Sequence, residues 1–330
     1  MQPLVFEPYL RPQVWGGRRL GDQLGKSLPD GGTYGEAWEL SGHPHHVSRV
    51  AEGPLKGASL NDLCAKHGKE IFGTGRSGPF PLLIKLLDCH DWLSIQVHPT
   101  DAIAEQLRPG ELGKTEAWIV LGVQPQGKIF AGLKPGVDRA AMEKHLQAGT
   151  TDQCLHSFTP QPGDCIFLPA GTVHAVGGGV VIAEVQQTSD ATFRLFDWNR
   201  VGTDGKSRTL HLDESIASIN WQAGPVHPVK GKALPNLPAG STGEHLVSCP
   251  FFELRRYRVE KDSKLGVEKM LSIWMVLGGS AELAEANGPY RRTFQQGETV
   301  LIPSSAGSCQ WSAFDGAATL LDVRVPAEVA

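Results

Sequence analysis

Alternating apolar and polar residues run through much of the chain, and this period of two is typical of half-buried β-strands. The clearest run is 93–98, in which Ser94, Gln96 and His98 share one face and apolar residues share the other. A face of serine, glutamine and histidine is better suited to line a pocket than to fill a core. A second predicted strand begins at Glu116, where a carboxylate precedes an apolar run.

A second set of strands follows a turn at Gly163 and Asp164. Residues 165–168 predict a short buried strand, 169–171 predict another turn, and His174 begins the next strand. The glycines of 177–179 are weak evidence for a phosphate loop, so we expect a tight hairpin there. Strands are also predicted at 34–42, 80–88, 182–187 and 192–198.

Only a few short helices are predicted, all in the N-terminal half. Ser59 is a candidate N-cap for one helix, residues 101–107 form a second, and Asp138 caps an amphipathic helix over 138–147. Residues 222–243 are rich in proline and glycine and lack periodicity, which indicates a linker. Alternating strands return over 251–325.

The C-terminal part repeats a pattern of the N-terminal part. Residues 297–303 and 163–169 both consist of glycine, an acid, four mostly apolar residues and proline. Ser308 takes the place of His174, eleven residues after the glycine. We therefore expect two related β-barrels, the second without a metal site. The predicted boundaries are 1–222 for the first domain, 223–246 for a linker and 247–330 for the second domain.

Composition narrows the functional classes. The net charge of −4 over 330 residues leaves no basic surface for nucleic acid. No stretch approaches the roughly 20 apolar residues of a membrane span, and the N-terminus lacks the features of a signal peptide. Six scattered cysteines without a CxxC pair are typical of a reduced compartment. We expect a cytoplasmic protein that does not bind membranes.

Four polar residues form a candidate metal site. His98, Glu116 and His174 offer two imidazoles and a carboxylate, and Gln96 adds a weaker amide oxygen. These donors suit zinc, iron, manganese or nickel. Hydrolytic zinc sites and non-haem iron oxygenases both use two histidines and a carboxylate, so the ligand set alone does not identify the reaction.

Three ordered motifs carry a family resemblance. They are Gln96-x-His98-Pro99, Gly113-Lys114-Thr115-Glu116-x-Trp118 and Pro169-Ala170-Gly171-Thr172-x-His174-Ala175. Together they resemble the type I phosphomannose isomerases of the cupin superfamily. The resemblance implies a mainly β fold of two cupin-like jelly-roll barrels, one Zn²⁺ or other divalent ion per chain, and interconversion of mannose 6-phosphate and fructose 6-phosphate. The chain lacks the large helical insertion of longer members, so closure over the substrate is expected to involve the loop 199–209.

The resemblance also implies roles for residues around the metal. Arg194 would stabilise an enediolate, Glu184 is the first choice of base and Lys114 the second. Lys85 and Ser94, on strands that we expect to be adjacent, would hold the phosphate. From the residues alone, Lys85 could instead extend to the surface, and Glu184 and Arg194 could form a structural ion pair.

Two other functions fit the same ligands. One is an iron-dependent cupin dioxygenase, against which stands the cationic set Lys85, Lys114 and Arg194. The other is a non-catalytic sugar-phosphate sensor, which would tolerate loss of Glu184 or Arg194. The histidines at 43, 45 and 46 are expected to belong to a polar turn rather than to a metal site. The oligomeric state stays open between monomer and homodimer.

Overall fold

The computed structural model describes residues 1–74, 76–201 and 205–326. Eleven strands of the N-terminal half form two sheets. Their bounds are β1 Tyr9–Gly17, β2 Tyr34–Ser41, β3 Leu82–Cys89, β4 Ile95–Val97, β5 Glu116–Val123, β6 Lys128–Leu133, β7 Leu155–Phe158, β8 Cys165–Leu168, β9 His174–Gly177, β10 Val180–Gln187 and β11 Phe193–Phe196. One sheet has the order β1-β2-β3-β10-β5-β8 and the other the order β11-β4-β9-β6-β7.

The C-terminal half repeats this arrangement with ten strands. Their bounds are β12 Lys232–Ala233, β13 Ser241–Ser248, β14 Glu253–Val259, β15 Lys264–Gly266, β16 Ser272–Gly278, β17 Ser280–Glu285, β18 Arg291–Gln295, β19 Thr299–Ile302, β20 Cys309–Ala313 and β21 Ala318–Arg324. The six-stranded sheet is ordered β12-β13-β14-β21-β16-β19 and the four-stranded sheet β15-β20-β17-β18. Strand for strand, this is the order of the first barrel without a counterpart of β11.

Five α-helices connect the strands. They are α1 Arg19–Asp22, α2 Leu60–Phe72, α3 Asp101–Leu107, α4 Arg139–Ala148 and α5 Leu212–Ser218. The Ser59 hydroxyl accepts from the Asp62 amide and the Asp138 carboxylate from the Ala141 amide, so the two predicted N-caps are confirmed. Within the described residues, no helix is long and apolar enough to cross a membrane.

The two six-stranded sheets pack back to back. On β10, Val181, Ala183 and Val185 join a core that also contains Ile273 and Val323 of the second barrel. The intervening residues of β10 point into the first barrel, because successive side chains of a strand alternate between faces. A sheet that is covered on both faces needs apolar residues on both, which explains the long apolar runs of β3, β5 and β10, interrupted by Lys85 on β3 and Glu184 on β10.

The structure confirms the mainly β, two-barrel fold and corrects three details. The interval 223–246, predicted as a linker, contains β12 and most of β13, which pair with each other in the second barrel. The turn 177–179 is tight, with positive φ at Gly178 and Gly179, but it joins strands of different sheets and is not a hairpin. Lys85 and Ser94 do not lie on adjacent strands, because β3 and β4 belong to different sheets.

Candidate active site and metal centre

The candidate metal ligands meet at one end of the first barrel. Gln96 on β4 is paired directly with His174, the first residue of β9. Glu116, the first residue of β5, is paired with Gln186 on β10. Each side chain occupies the inward position of its strand, as the alternation predicts. His98 follows β4 by one residue and is again directed inward, two positions after Gln96.

The donor atoms of His98, Glu116 and His174 all lie within 4.8 Å of one another. The Nε2 atom of His174 is 3.3 Å from Oε1 of Glu116, and the Nε2 atom of His98 is 3.6 Å from Oε2. All three side chains are buried. Among the described residues, this is the one group of three His, Cys, Asp or Glu side chains with metal-site spacing.

Backbone carbonyls orient both imidazoles. Nδ1 of His98 donates to the Ala191 carbonyl over 2.8 Å, and Nδ1 of His174 donates to the Thr172 carbonyl over 2.9 Å. With the proton on Nδ1, each ring directs the lone pair of Nε2 towards Glu116. Burial lowers the pKa of His174 to about 4 and that of His98 well below its usual range, so both rings are neutral.

Glu116 supports the same interpretation. Both of its carboxylate oxygens are buried, and neither accepts a hydrogen bond of normal geometry. Lys114 Nζ lies 2.8 Å from Oε2 and forms an ion pair. Burial raises the pKa of Glu116, although Lys114 opposes the change. Lys114 Nζ also lies 3.2 Å from Nε2 of His98, so the ammonium group contacts two of the three donors. A buried carboxylate beside two imidazole lone pairs fits a divalent cation, because the cation would bind all three donors.

Gln96 adjoins the three strong donors. Its Oε1 accepts from the Ser94 hydroxyl over 3.2 Å, and its Nε2 lies 3.3 Å from Nε2 of His174. Side-chain amide oxygen and nitrogen have nearly the same shape, so their assignment depends on the partners present. Gln96 is therefore placed to act as the fourth ligand only through its oxygen.

A second carboxylate lies beside the metal cluster. Glu184 on β10 accepts a hydrogen bond from the Trp118 indole over 2.9 Å and lies 3.3 Å from Lys85 Nζ. Burial by itself raises the pKa of Glu184, but the charges of Lys114 and Lys85 outweigh burial and lower it to about 2. Lys85 is only 4% exposed, so its side chain does not extend to the surface. It lies 3.7 Å from Glu36 as well.

Glu36, Lys85 and Glu184 line a pocket with a volume of about 280 Å³. Arg194 lines it from β11, together with Glu184. The structure records no salt bridge between these two residues, and Nε of Arg194 is buried without a hydrogen-bond partner. Burial, and then Arg208, lowers the pKa of Arg194. The pocket lining contains six lysine and arginine side chains against three carboxylates.

Several pocket residues escaped the sequence analysis. Asp190 lies 3.5 Å from Arg11 and 3.4 Å from His45, which therefore lies at the pocket rim although we assigned it to a polar turn. Arg108 and Arg208 complete the rim. These residues lie in loops or on strands distant in sequence, and no local pattern marks them. Of the predicted closing loop 199–209, residues 202–204 lie outside the described residues.

Comparison with known proteins identifies the family. The family model for the catalytic domain of type I phosphomannose isomerase matches residues 4–113. A mannose-6-phosphate isomerase from Streptococcus mutans is 34% identical over 320 residues, which cover 96% of each chain. The chain belongs to the type I phosphomannose isomerase family.

Other members of this family agree with the assignment. The mannose-6-phosphate isomerase ManA of Bacillus subtilis is 34% identical over 93% of this chain and 94% of its own. The crystal structure of mannose 6-phosphate isomerase from Bacillus subtilis has a TM-score of 0.89 at 28% identity and covers 98% of this chain and 100% of that chain. A variant of phosphomannose isomerase from Salmonella typhimurium shares the fold, with a TM-score of 0.77 at 16% identity over 98% and 100% of the two chains. The predicted family resemblance is confirmed.

Proposed function

We propose that the protein interconverts mannose 6-phosphate and fructose 6-phosphate and uses one divalent metal ion, for which zinc is our first proposal. The observation that carries the proposal is the cluster of His98, Glu116 and His174 in contact with Lys114, at a polar pocket that Glu184 also lines. Moving a proton between C1 and C2 of a sugar needs an electrophile at the carbonyl oxygen and an acid–base group beside it. The cluster and its neighbours offer both.

His98, Glu116 and His174 would hold the ion, with the amide oxygen of Gln96 as the fourth donor. A divalent ion there would polarise the C1 or C2 oxygen of the sugar. Its identity is a further part of the proposal, because manganese, cobalt and iron accept the same donors.

Glu184 is our proposed base, with Lys114 second. The charges of Lys114 and Lys85 lower the pKa of Glu184 and keep it ionised, although the same shift makes it a weaker base than a free carboxylate. Burial alone would lower the pKa of Lys114, but Glu116 and Glu184 raise it, so Lys114 is a cation that donates more readily than it accepts. Arg194, whose Nε has no hydrogen-bond partner among the described residues, would stabilise the charge of an enediolate.

Phosphate recognition belongs to the same pocket. Lys85 and Ser94, which we proposed for it, both line the pocket, but the charge of Lys85 is already offset by Glu36 and Glu184. Charge balance favours a group that we name the arginine rim. The arginine rim consists of Arg108 and Arg208, because Arg194 is assigned to the enediolate. Arg208 has an ion pair with Asp197, and Arg108 has none among the described residues, so the rim carries excess positive charge for a phosphate dianion.

The polar, cationic pocket disfavours an iron-dependent dioxygenase of apolar substrates. Both Glu184 and Arg194 line the pocket, which favours catalysis over sensing alone. A cytoplasmic location and a monomeric or homodimeric state remain part of this proposal.

The test is a coupled assay of fructose 6-phosphate formation from mannose 6-phosphate. The protein is stripped with a chelator and then reloaded with zinc, with unphosphorylated mannose as the control substrate. We expect turnover only after reloading and only with the phosphorylated sugar. Zinc-loaded protein without turnover would overturn the isomerase assignment, whereas full turnover of stripped protein would overturn the role of the metal.

A further inference from the structure

We infer that the segment 187–191 is a bracket that positions the metal ligands, and that Gln187 and Ser189 are its positioning residues. This inference rests on the proposed metal site and names residues that do not touch substrate or metal. The bracket consists of Gln187, Thr188, Ser189, Asp190 and Ala191. It connects the end of β10 to the start of β11 and therefore joins the two sheets across the site.

Gln187 holds the segment that leads into Glu116. Its Oε1 accepts from the Thr115 amide over 2.9 Å, and its Nε2 donates to Asp101 over 3.0 Å. The same oxygen of Asp101 accepts from the Gly113 amide over 2.8 Å. One side chain thus fixes the backbone on both sides of Lys114. Gln187 is only 5% exposed, so water does not readily replace these bonds.

Ser189 holds the other ligand. Its hydroxyl donates to the Leu112 carbonyl over 2.7 Å and accepts from the Ala191 amide over 3.1 Å. Ala191 in turn provides the carbonyl that receives Nδ1–H of His98. The side chain of Ser189 therefore determines where that carbonyl lies. This carbonyl sets the tautomer and direction of the His98 ring.

Gln187 and Ser189 both affect the separation of Glu116 and His98. Gln187 fixes Glu116 through Thr115, and Ser189 fixes His98 through Ala191, while both belong to one short run of backbone. The amide of Ser189 also donates to the Gln187 carbonyl over 2.8 Å, which ties the halves together. The bracket accordingly sets the separation of Glu116 and His98 before a metal arrives. Such preorganisation of ligands increases metal affinity.

Thr188 supplies a matched control within the bracket. Its hydroxyl donates to the Phe80 carbonyl over 2.9 Å, in the segment that precedes β3. Thr188→Val removes one hydrogen bond from the same loop at nearly constant shape, but it removes no contact with the ligand-bearing segments. The effect of Thr188→Val therefore shows what the loss of one hydrogen bond in this loop does by itself.

The experiment measures zinc affinity by competition with a chromophoric chelator, the absorption spectrum of the cobalt-substituted protein, and kcat and KM for mannose 6-phosphate. Ser189→Ala and Gln187→Leu are compared with Thr188→Val and with the unmodified protein. We expect zinc affinity to fall about 10- to 100-fold in Ser189→Ala, the usual effect of losing a partner of a metal ligand. We expect Gln187→Leu to lower both zinc affinity and kcat with KM little changed, and Thr188→Val to change none of these.

Equal losses in all three variants, in proportion to their melting temperatures, would overturn the bracket and leave a stability effect. Unchanged zinc affinity and cobalt spectrum in Ser189→Ala and Gln187→Leu would also overturn it. Zinc affinity and the cobalt spectrum are measured without turnover. The test of the bracket therefore remains valid even if the isomerase assignment fails.

Discussion

The two barrels share one strand order, yet polar residues at equivalent positions do different things. Glu116 is paired with Leu168, and Ser272 is paired with Ile302. Leu168 and Ile302 each lie five residues after the matching glycine, Gly163 or Gly297. The equivalence extends through the neighbouring strands. The pairs are Glu116 and Ser272, Gln186 and Arg324, Glu184 and Asp322, and Lys85 and Arg255.

In the second barrel, the charged residues bond mainly to one another, although Oδ1 of Asp322 is buried without a hydrogen-bond partner. Arg324 donates to Asp322 over 2.7 Å and forms two hydrogen bonds with Glu268, of 2.7 and 2.8 Å. Arg255 also contacts Glu268. In the first barrel, Nε2 of each histidine and both oxygens of Glu116 face a common point instead. What distinguishes the first barrel is that metal-binding donors of three side chains converge, so that a single bound cation would offset the desolvation of all of them.

The largest effect should come from the closing ligand. His174→Ala removes a donor, so we expect turnover of mannose 6-phosphate to fall by at least about 10²- to 10³-fold, together with zinc content. Ser308→Ala, at the corresponding place of the second barrel, should change neither. Assays of both purified variants with metal analysis provide the test. Comparable losses in both would break the contrast between the barrels.

The carboxylates on β10 and β21 come next. Glu184→Gln keeps the shape but cannot accept the proton, so we expect kcat to fall about 10²- to 10⁴-fold with zinc still bound. Asp322→Asn should leave kcat unchanged. If Glu184→Gln kept normal turnover, the assignment of Glu184 as the base would be wrong.

A smaller effect is expected at the arginine rim. Arg108 stacks on the Phe193 ring and has no ion pair within the described residues, so its charge is available to a phosphate. Arg108→Gln should raise KM for mannose 6-phosphate roughly tenfold, the equivalent of one charge-assisted hydrogen bond, with kcat nearly constant. Arg255→Gln, equivalent to a change at Lys85, should leave KM unaltered. A constant KM in Arg108→Gln would return the phosphate to Lys85 and Ser94.

The smallest effect concerns stability and not activity. Burial raises the pKa of Asp322 from 3.8 to about 6 despite the nearby Arg324. The folded state then binds more protons than the unfolded state between these pH values, so the free energy of unfolding falls as pH rises through this window. Denaturant titrations between pH 4 and 7 cover this window. As the pH rises, we expect Asp322→Asn to gain stability relative to the unmodified protein, by at most about 3 kcal/mol. A difference independent of pH would contradict the shift.

Local patterns predicted many of the strands, the helices α2, α3 and α4, and the candidate metal ligands. Period-two alternation marked the strands, short polar side chains marked the helix starts at Ser59 and Asp138, and the motif spacing identified His98 and His174. These features depend on neighbours within a few residues, where backbone geometry leaves few alternatives. Alternation also indicated that Glu184 and Arg194 face the interior.

The tertiary structure alone decided which faces meet. The sequence marks Lys85 as a candidate pocket residue but does not show that its partners are Glu36 and Glu184, since strand order depends on contacts between distant segments. For the same reason, Asp190 and the arginine rim came to light only in the folded chain. The back-to-back packing of the barrels was equally hidden, because an apolar face does not specify which apolar face will cover it.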